Sequence, residues 1–340
     1  GQYHHAYSLS GNTENDIYIA GYKNSGDGSY ASATKLNSEG IEVWSTVSNL
    51  IDSSAHSIVI DKDQSIYICG RTHQGMVVGQ EAFITKLDSS GEILWEKLFW
   101  SKSWDKFEDI EVNEFGDIYA AGWTETPDPN IPAPIGIGGA YPFLVSVDKD
   151  GIEKWSKTLN NLGKITSLDI CKSGKIYVAG EMSIDNQVHD AFIAKFSADG
   201  KQEWINIFGT PGSADSITIT EDNSIYILYL TGGTSSIRKF NSEGEEEKFE
   251  EENYATGMNP STLTDSSLIS DNNGNLYFYS TKKNGSNMDN YTKDILINKI
   301  QIPIDADPIT GQTFNLDVDG DNKVTALGDG LMIIRKMFGN

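Results

Sequence analysis

Ser65-Ile-Tyr-Ile-Cys-Gly70 is a run of β-branched and aromatic residues closed by glycine, and the chain carries six strings built like it. The others are Asp16-Ile-Tyr-Ile-Ala-Gly21, Asp117-Ile-Tyr-Ala-Ala-Gly122, Lys175-Ile-Tyr-Val-Ala-Gly180, Ser224-Ile-Tyr-Ile-Leu-Tyr229 and Asn275-Leu-Tyr-Phe-Tyr-Ser280. Such residues favour strands. The tyrosines stand at 18, 67, 119, 177, 226 and 277, so the intervals are 49, 52, 58, 49 and 51 residues. A period in this range marks one supersecondary unit repeated, each unit too small to bury its own apolar face.

Working outward from Ser65–Gly70 gives the whole unit. Ala55–Ile60 has strand character and is followed by the turn cluster Asp61-Lys-Asp-Gln64. Beyond a variable loop come the strand Ala82–Leu87, the turn Asp88-Ser-Ser-Gly91 and a last strand, Ile93–Leu98. Four short strands joined by turns read as an antiparallel meander. Gly40, Gly91, Gly151, Gly200 and Gly244 end the third turn, where a positive φ suits glycine. Four residues after each of the first four stands a tryptophan: Trp44, Trp95, Trp155 and Trp204. The fifth copy has Lys248 there, beside Phe249. A lysine recurs on the third strand as Lys35, Lys86, Lys195, Lys239 and Lys299, with Ser146 the exception.

Ten residues before each tyrosine lie Ser8, Ser57, Asp109, Ser167, Ser216 and Ser267. If the first strand of each unit is innermost, these form one ring near an axis. Such a ring is either a polar channel mouth that holds water or an ion, or the small side chains that crowding admits. The insertion from Trp123 to Tyr141 holds Pro127, Pro129, Pro132 and Pro134 and reads as a stiff surface loop. The acidic run Glu243–Glu252 reads as a solvated outer edge.

The 340 residues carry 26 Lys and Arg against 49 Asp and Glu, a formal net charge of −23. That surface repels a phosphate backbone, so nucleic acid is not expected as a partner. No apolar run approaches the ~18 residues of a membrane span. A chain starting at Gly1 fits a processed secreted protein or a fragment. Cys69 and Cys171 occupy different repeat positions and are expected as two buried free thiols. The histidines at 4, 5, 56, 73 and 189 fall at non-equivalent repeat positions, and no Ser/His/Asp spacing, phosphate loop or CxxC is present.

The repeats resemble the bacterial β-propeller repeats of SBBP type, found in secreted and surface proteins. The carriers are the Ile-Tyr-Ile-Ala-Gly strand and the string from Ala82 to Trp95, seen again from Ala191 to Trp204. The resemblance covers about residues 4 to 300 and implies an all-β, six-bladed propeller of four-stranded antiparallel blades. Asp-x-x-Gly-x-x-x-Trp is also similar to the tryptophan-docking motif of quinoprotein dehydrogenases, where the indole braces neighbouring blades. The chain lacks that motif's usual Thr, its eight copies and its adjacent cysteine pair, and it lacks the sialidase Asp-box.

After Ile302 the pattern breaks, and Asp317-Val-Asp-Gly-Asp-Asn-Lys-Val-Thr325 follows. Acids at positions 1, 3 and 5 of a turn converge their oxygens as a calcium ion requires. Asp317, Asp319 and Asp321 supply them, with the Lys323 carbonyl at position 7 and Asp329 one place past position 12. A helix is expected next, with Leu327, Leu331, Ile334 and Phe338 on one face. The segment resembles the dockerin-like half EF-hand tails of secreted bacterial proteins, which often have an Asp ligand at the ninth position, where this chain places Thr325. A dockerin carries two such loops and this chain has one.

The expected organisation is a propeller over 1–302, a linker or outer strand of the last blade over 303–316, and a calcium-binding loop and helix over 317–340. The expected function is an extracellular or cell-surface structural, adhesive or binding module, not an enzyme, with calcium as its cofactor and no catalytic residue. A glycan or another surface protein is its expected partner. The alternatives are an extracellular polysaccharide hydrolase or lyase, which should bring paired carboxylates or a histidine to the channel mouth, and a subunit of a self-associating surface filament.

Overall fold

The computed structural model describes residues 4–12, 14–73, 79–99, 104–125, 139–183, 189–209, 211–232, 234–249, 263–270, 276–284 and 292–300. These form six antiparallel sheets in chain order, five of four strands and a last one of three. Sheet two is Ser53–Ile60, Ile66–Thr72, Glu81–Leu87 and Ile93–Phe99, and each strand pairs with the one before it. The proline insertion, the expected outer strand at 301–316 and the calcium tail lie outside the described residues.

The first strands are the inner ones. His4–Gly11, Ser53–Ile60, Asp105–Val112, Leu162–Ile170, Ser213–Ile219 and Leu263–Ser270 pack each against the next in order. Burial then peaks in the middle strands: of Ile66–Thr72 all but Arg71 are buried, and of Glu81–Leu87 all but Glu81. Such continuous apolar runs arise when both faces of a sheet are covered. The core is therefore divided, one cluster per junction. Tyr67, Cys69 and Ile84 of sheet two, for example, pack with Phe107, Ile110 and Val145 of sheet three. Cys69 and Cys171 are buried and free.

The recurring tyrosine anchors each of the first five sheets. Tyr18, Tyr67, Tyr119, Tyr177 and Tyr226 are among the largest fully buried side chains. The third-strand lysine lies over the ring, at 5.4 Å for Lys35 on Tyr18, 5.2 Å for Lys86 on Tyr67 and 5.4 Å for Lys195 on Tyr177. The fourth-strand tryptophan faces that lysine across the strand pair and reaches into the following sheet. The indole N–H donates to a carbonyl of the next sheet's third turn: Trp44 to Ser89 at 3.2 Å, Trp95 to Lys149 at 3.2 Å, Trp155 to Ala198 at 3.0 Å and Trp204 to Ser242 at 3.3 Å. The glycine ending that turn lies against the ring, and a Cβ on Gly91 would stand 2.6 Å from Trp44. Gly91 also has φ +85°, so both its backbone and its neighbour demand glycine.

The glycine closing the repeat string has a different reason. In sheets one to five the first strand carries one extra residue, a bulge, at Tyr7, His56, Glu108, Thr166 and Asp215. The bulge pushes first-strand backbone onto the second strand. A Cβ on Gly21, Gly70, Gly122 or Gly180 would stand 1.8–2.0 Å from a carbonyl oxygen there. Glycine is what permits that approach. In sheet five Tyr229 takes this position, opposite Ala214.

Candidate functional site

Two sets of side chains gather along the inner strands: the serine ring with its neighbours, and the rim of bulged residues at one end.

In the ring, Asp109 is the hub. Its carboxylate accepts from Ser57 Oγ at 2.8 Å, Ser167 Oγ at 3.1 Å, Leu168 N at 2.9 Å and its neighbour Ile110 N at 2.9 Å. It so ties sheets two, three and four together. The line continues through Ile217 N, which donates to Ser167 Oγ at 3.4 Å, and Ser216 meets Ser267 at 3.2 Å. Ser8 holds the corresponding place in sheet one, half-buried. Burial raises the Asp109 pKa, and the four hydrogen bonds oppose that rise.

Two residues further along the same strands stand Glu111, Asp169 and Thr218. Asp169 accepts from Ile219 N at 2.8 Å and Ile170 N at 2.6 Å, and Thr218 Oγ1 meets Ser270 Oγ at 2.9 Å. Burial pushes Asp169 up to about 7. It lifts Glu111 well above the usual carboxylate range, with the charges of Asp169 and Asp109 adding to the effect. Asp109, Glu111 and Asp169 are each half-buried among the inner strands.

The rim is more varied. Tyr7 is 47% exposed and stacks on His56, ring centroids 4.8 Å apart, and His5 stacks on Tyr22 at the same separation. Ser54 Oγ lies 3.0 Å from His56 Nε2. Burial, then the charges of Lys106 and Arg71, push the His56 imidazole down to about 2, so it stays neutral. Lys106 pairs with Glu108 at 2.8 Å, and Arg71 Nη1 donates to Gln80 Oε1 at 3.0 Å. Further round, Ser213 Oγ donates to Asp215 at 2.6 Å. Bulges re-aim side chains, and here the re-aimed residue differs in each of sheets one to five.

No family model matches the chain, and no curated protein matches it in sequence. Solved structures match it in fold. A catalytically inactive variant of virginiamycin B lyase from Staphylococcus aureus, solved with quinupristin, superposes with TM-score 0.52 over 90% of this chain and 89% of that one, at 13% identity. An ulvan lyase, described as a new family of polysaccharide lyase, gives 0.50 over 80% of this chain and 75% of that one, at 8% identity. The fold is β-propeller-like. At these identities the likeness speaks to the fold of the propeller alone.

On the propeller, the geometry brings together five residues of the expected ring through hydrogen bonds between neighbouring sheets, and it uses the four tryptophans as links from sheet to sheet. The sequence reading missed Glu111, Asp169 and the rim. The period that reveals Ser57 or Ser167 passes over them, because each occurs in one copy. A signal for the rim was present, since the closing glycine of the repeat string marks the bulge opposite. Among the described residues no group of three or more His, Cys, Asp or Glu is placed to hold a metal ion. No helix of the described residues is long and apolar enough to cross a membrane.

Proposed function

We propose that the chain is a six-bladed propeller acting outside the cell as a binding module, with residues 301–316 completing the last blade and calcium stiffening the tail. The observation that carries the binding reading is His56. Its contact with Ser54 has the spacing of a nucleophile and its base. A general base works when its pKa lies near the working pH, and an imidazole held at about 2 is a poor one. Asp109, in the ring, already accepts four hydrogen bonds that hold three sheets together. What remains at the rim is a set of donors, acceptors and aromatic edges suited to holding a polar ligand. The acidic surface turns away nucleic acid and leaves a glycan or another surface protein as the partner.

Calcium in this reading is held by the side chains of Asp317, Asp319, Asp321, Thr325 and Asp329 with the Lys323 carbonyl. Among the described residues the last sheet has three strands, so 301–316 is the segment assigned here to its outer edge. A panel of polysaccharides, assayed for binding and for cleavage in parallel, tests the function. Retention on at least one polymer without new chain ends is the expected result, and release of shortened products would overturn it.

The second reading, a hydrolase or lyase, is favoured by Asp169, whose carboxyl at about 7 is able to exchange a proton near neutral pH. Cleavage that disappears in Asp169→Asn would establish that reading in place of the first.

A further inference from the structure

A shallow cavity of about 240 Å³ opens at the end of sheet four, beside the rim. Leu162 pairs with Ser183 and Lys164 with Glu181 across the first two strands, so these four side chains share one face. The stretch at Gly139 and Ala140 closes one side: Gly163 N donates to Ala140 O at 2.7 Å, and Gly139 lies against Leu162. Lys164 Nζ stands 3.4 Å from Glu181 Oε1, and His189 Nδ1 stands 4.0 Å from the same oxygen. Ser183, which also lines the cavity, is 3% exposed, and its hydroxyl has no hydrogen-bond partner among the described residues. Buried hydroxyls are nearly always paired, and this one is closed off behind the cavity wall.

We infer that this cavity is a subsite for one uncharged pyranose ring of a glycan. The inference rests on the binding-module reading and gives it a location. A vicinal diol offers a donor and an acceptor on adjacent oxygens. The Lys164–Glu181 pair presents the complementary donor and acceptor at a matching spacing, and the exposed His189 adds a group able to do either. Lys164 and Glu181 balance each other, and with Asp215 close by the wall offers no net positive charge to an anionic ligand. The volume falls below the ~300–1,000 Å³ that drug-sized ligands occupy, which limits the subsite to a single ring.

The test uses the full chain, with methyl glucopyranoside, galactopyranoside and mannopyranoside as probes and the His189 imidazole resonances as the reporter. One of the three shifts those resonances saturably, with millimolar affinity. The isosteric Glu181→Gln weakens it about tenfold or more, as does Lys164→Met, while melting is unchanged. No saturable shift by any probe, equal affinity in both variants, or a shift with acetate or sulfate alone would each overturn the subsite. The polysaccharide panel separates this failure from that of the parent reading. A polymer held undiminished by Glu181→Gln removes the subsite and leaves the binding module standing, whereas a chain that holds neither polymer nor pyranoside removes both.

Discussion

Glu111 and Asp169 keep their protons to higher pH than free carboxyls do, because burial among the inner strands penalises the charged forms. Their folded pKa values are raised, so between the unfolded pKa near 4 and the folded value the native state binds more protons than the unfolded chain. Their contribution to stability is present in full below that window and is lost as pH rises through it. For Asp169 the loss is complete just above the folded value of about 7. The melting temperature should therefore fall from pH 5 toward pH 8. Glu111→Gln, which removes the ionisation and the repulsion it brings to Asp169, should flatten that slope. A wild-type and a Glu111→Gln profile of equal slope in differential scanning calorimetry would show that these carboxyls are solvated and uncoupled. His56 works in the opposite sense: held neutral by burial, it favours unfolding only where the pH is low enough to charge the free imidazole.

Turns are where the element scale adds something. Gly91, in a third turn, and Gly116, in a first turn, share a φ of +85°. Gly91 supports the Trp44 ring, whereas a Cβ on Gly116 would meet nothing within 4 Å. Gly116→Ala should lose about 1–2 kcal/mol, the backbone penalty alone. Gly91→Ala adds the displacement of the indole and should lose roughly 2–4 kcal/mol. Equal losses in urea titrations would mean that the tryptophan contact contributes nothing. The turns, the strands and the tryptophan positions were legible in the sequence, because each repeats and each has one steric or packing reason. Tyr67 recurs because a buried ring fills every junction, and Gly91 recurs because a turn needs it. The bulges at Tyr7 and His56 were not legible as such. One extra residue shifts the alternation of a strand without changing its composition. Glu111, Asp169 and the cavity at Lys164 escaped for a related reason: a site on a repeated frame is made of what the copies do not share.

At the scale of the whole molecule, the core is a series of junctions, each with its own apolar cluster, so stability is close to a sum of neighbouring contacts. On the proposal that residues 317–340 bind calcium, the metal should have little leverage on distant sheets. Chelation should make 317–340 more open to proteolysis while the main melting transition of the sheets moves by no more than about a degree or two. Protection of the tail unaffected by chelator, with no heat of calcium binding at millimolar ion, would remove the metal from the account. The tryptophan links carry a direction as well, since Trp44, Trp95, Trp155 and Trp204 each reach forward to the sheet that follows. During synthesis on the ribosome, each of the first four sheets, once finished, thus displays an indole awaiting a turn that has not yet been made. A stalled or prematurely ended product is left with an adhesive end, whereas a chain shortened from its beginning is left with a bare glycine turn. Truncation from the two ends therefore leaves different link partners unmatched, an indole in one case and a glycine turn in the other, although each cut also bares one half of an apolar junction.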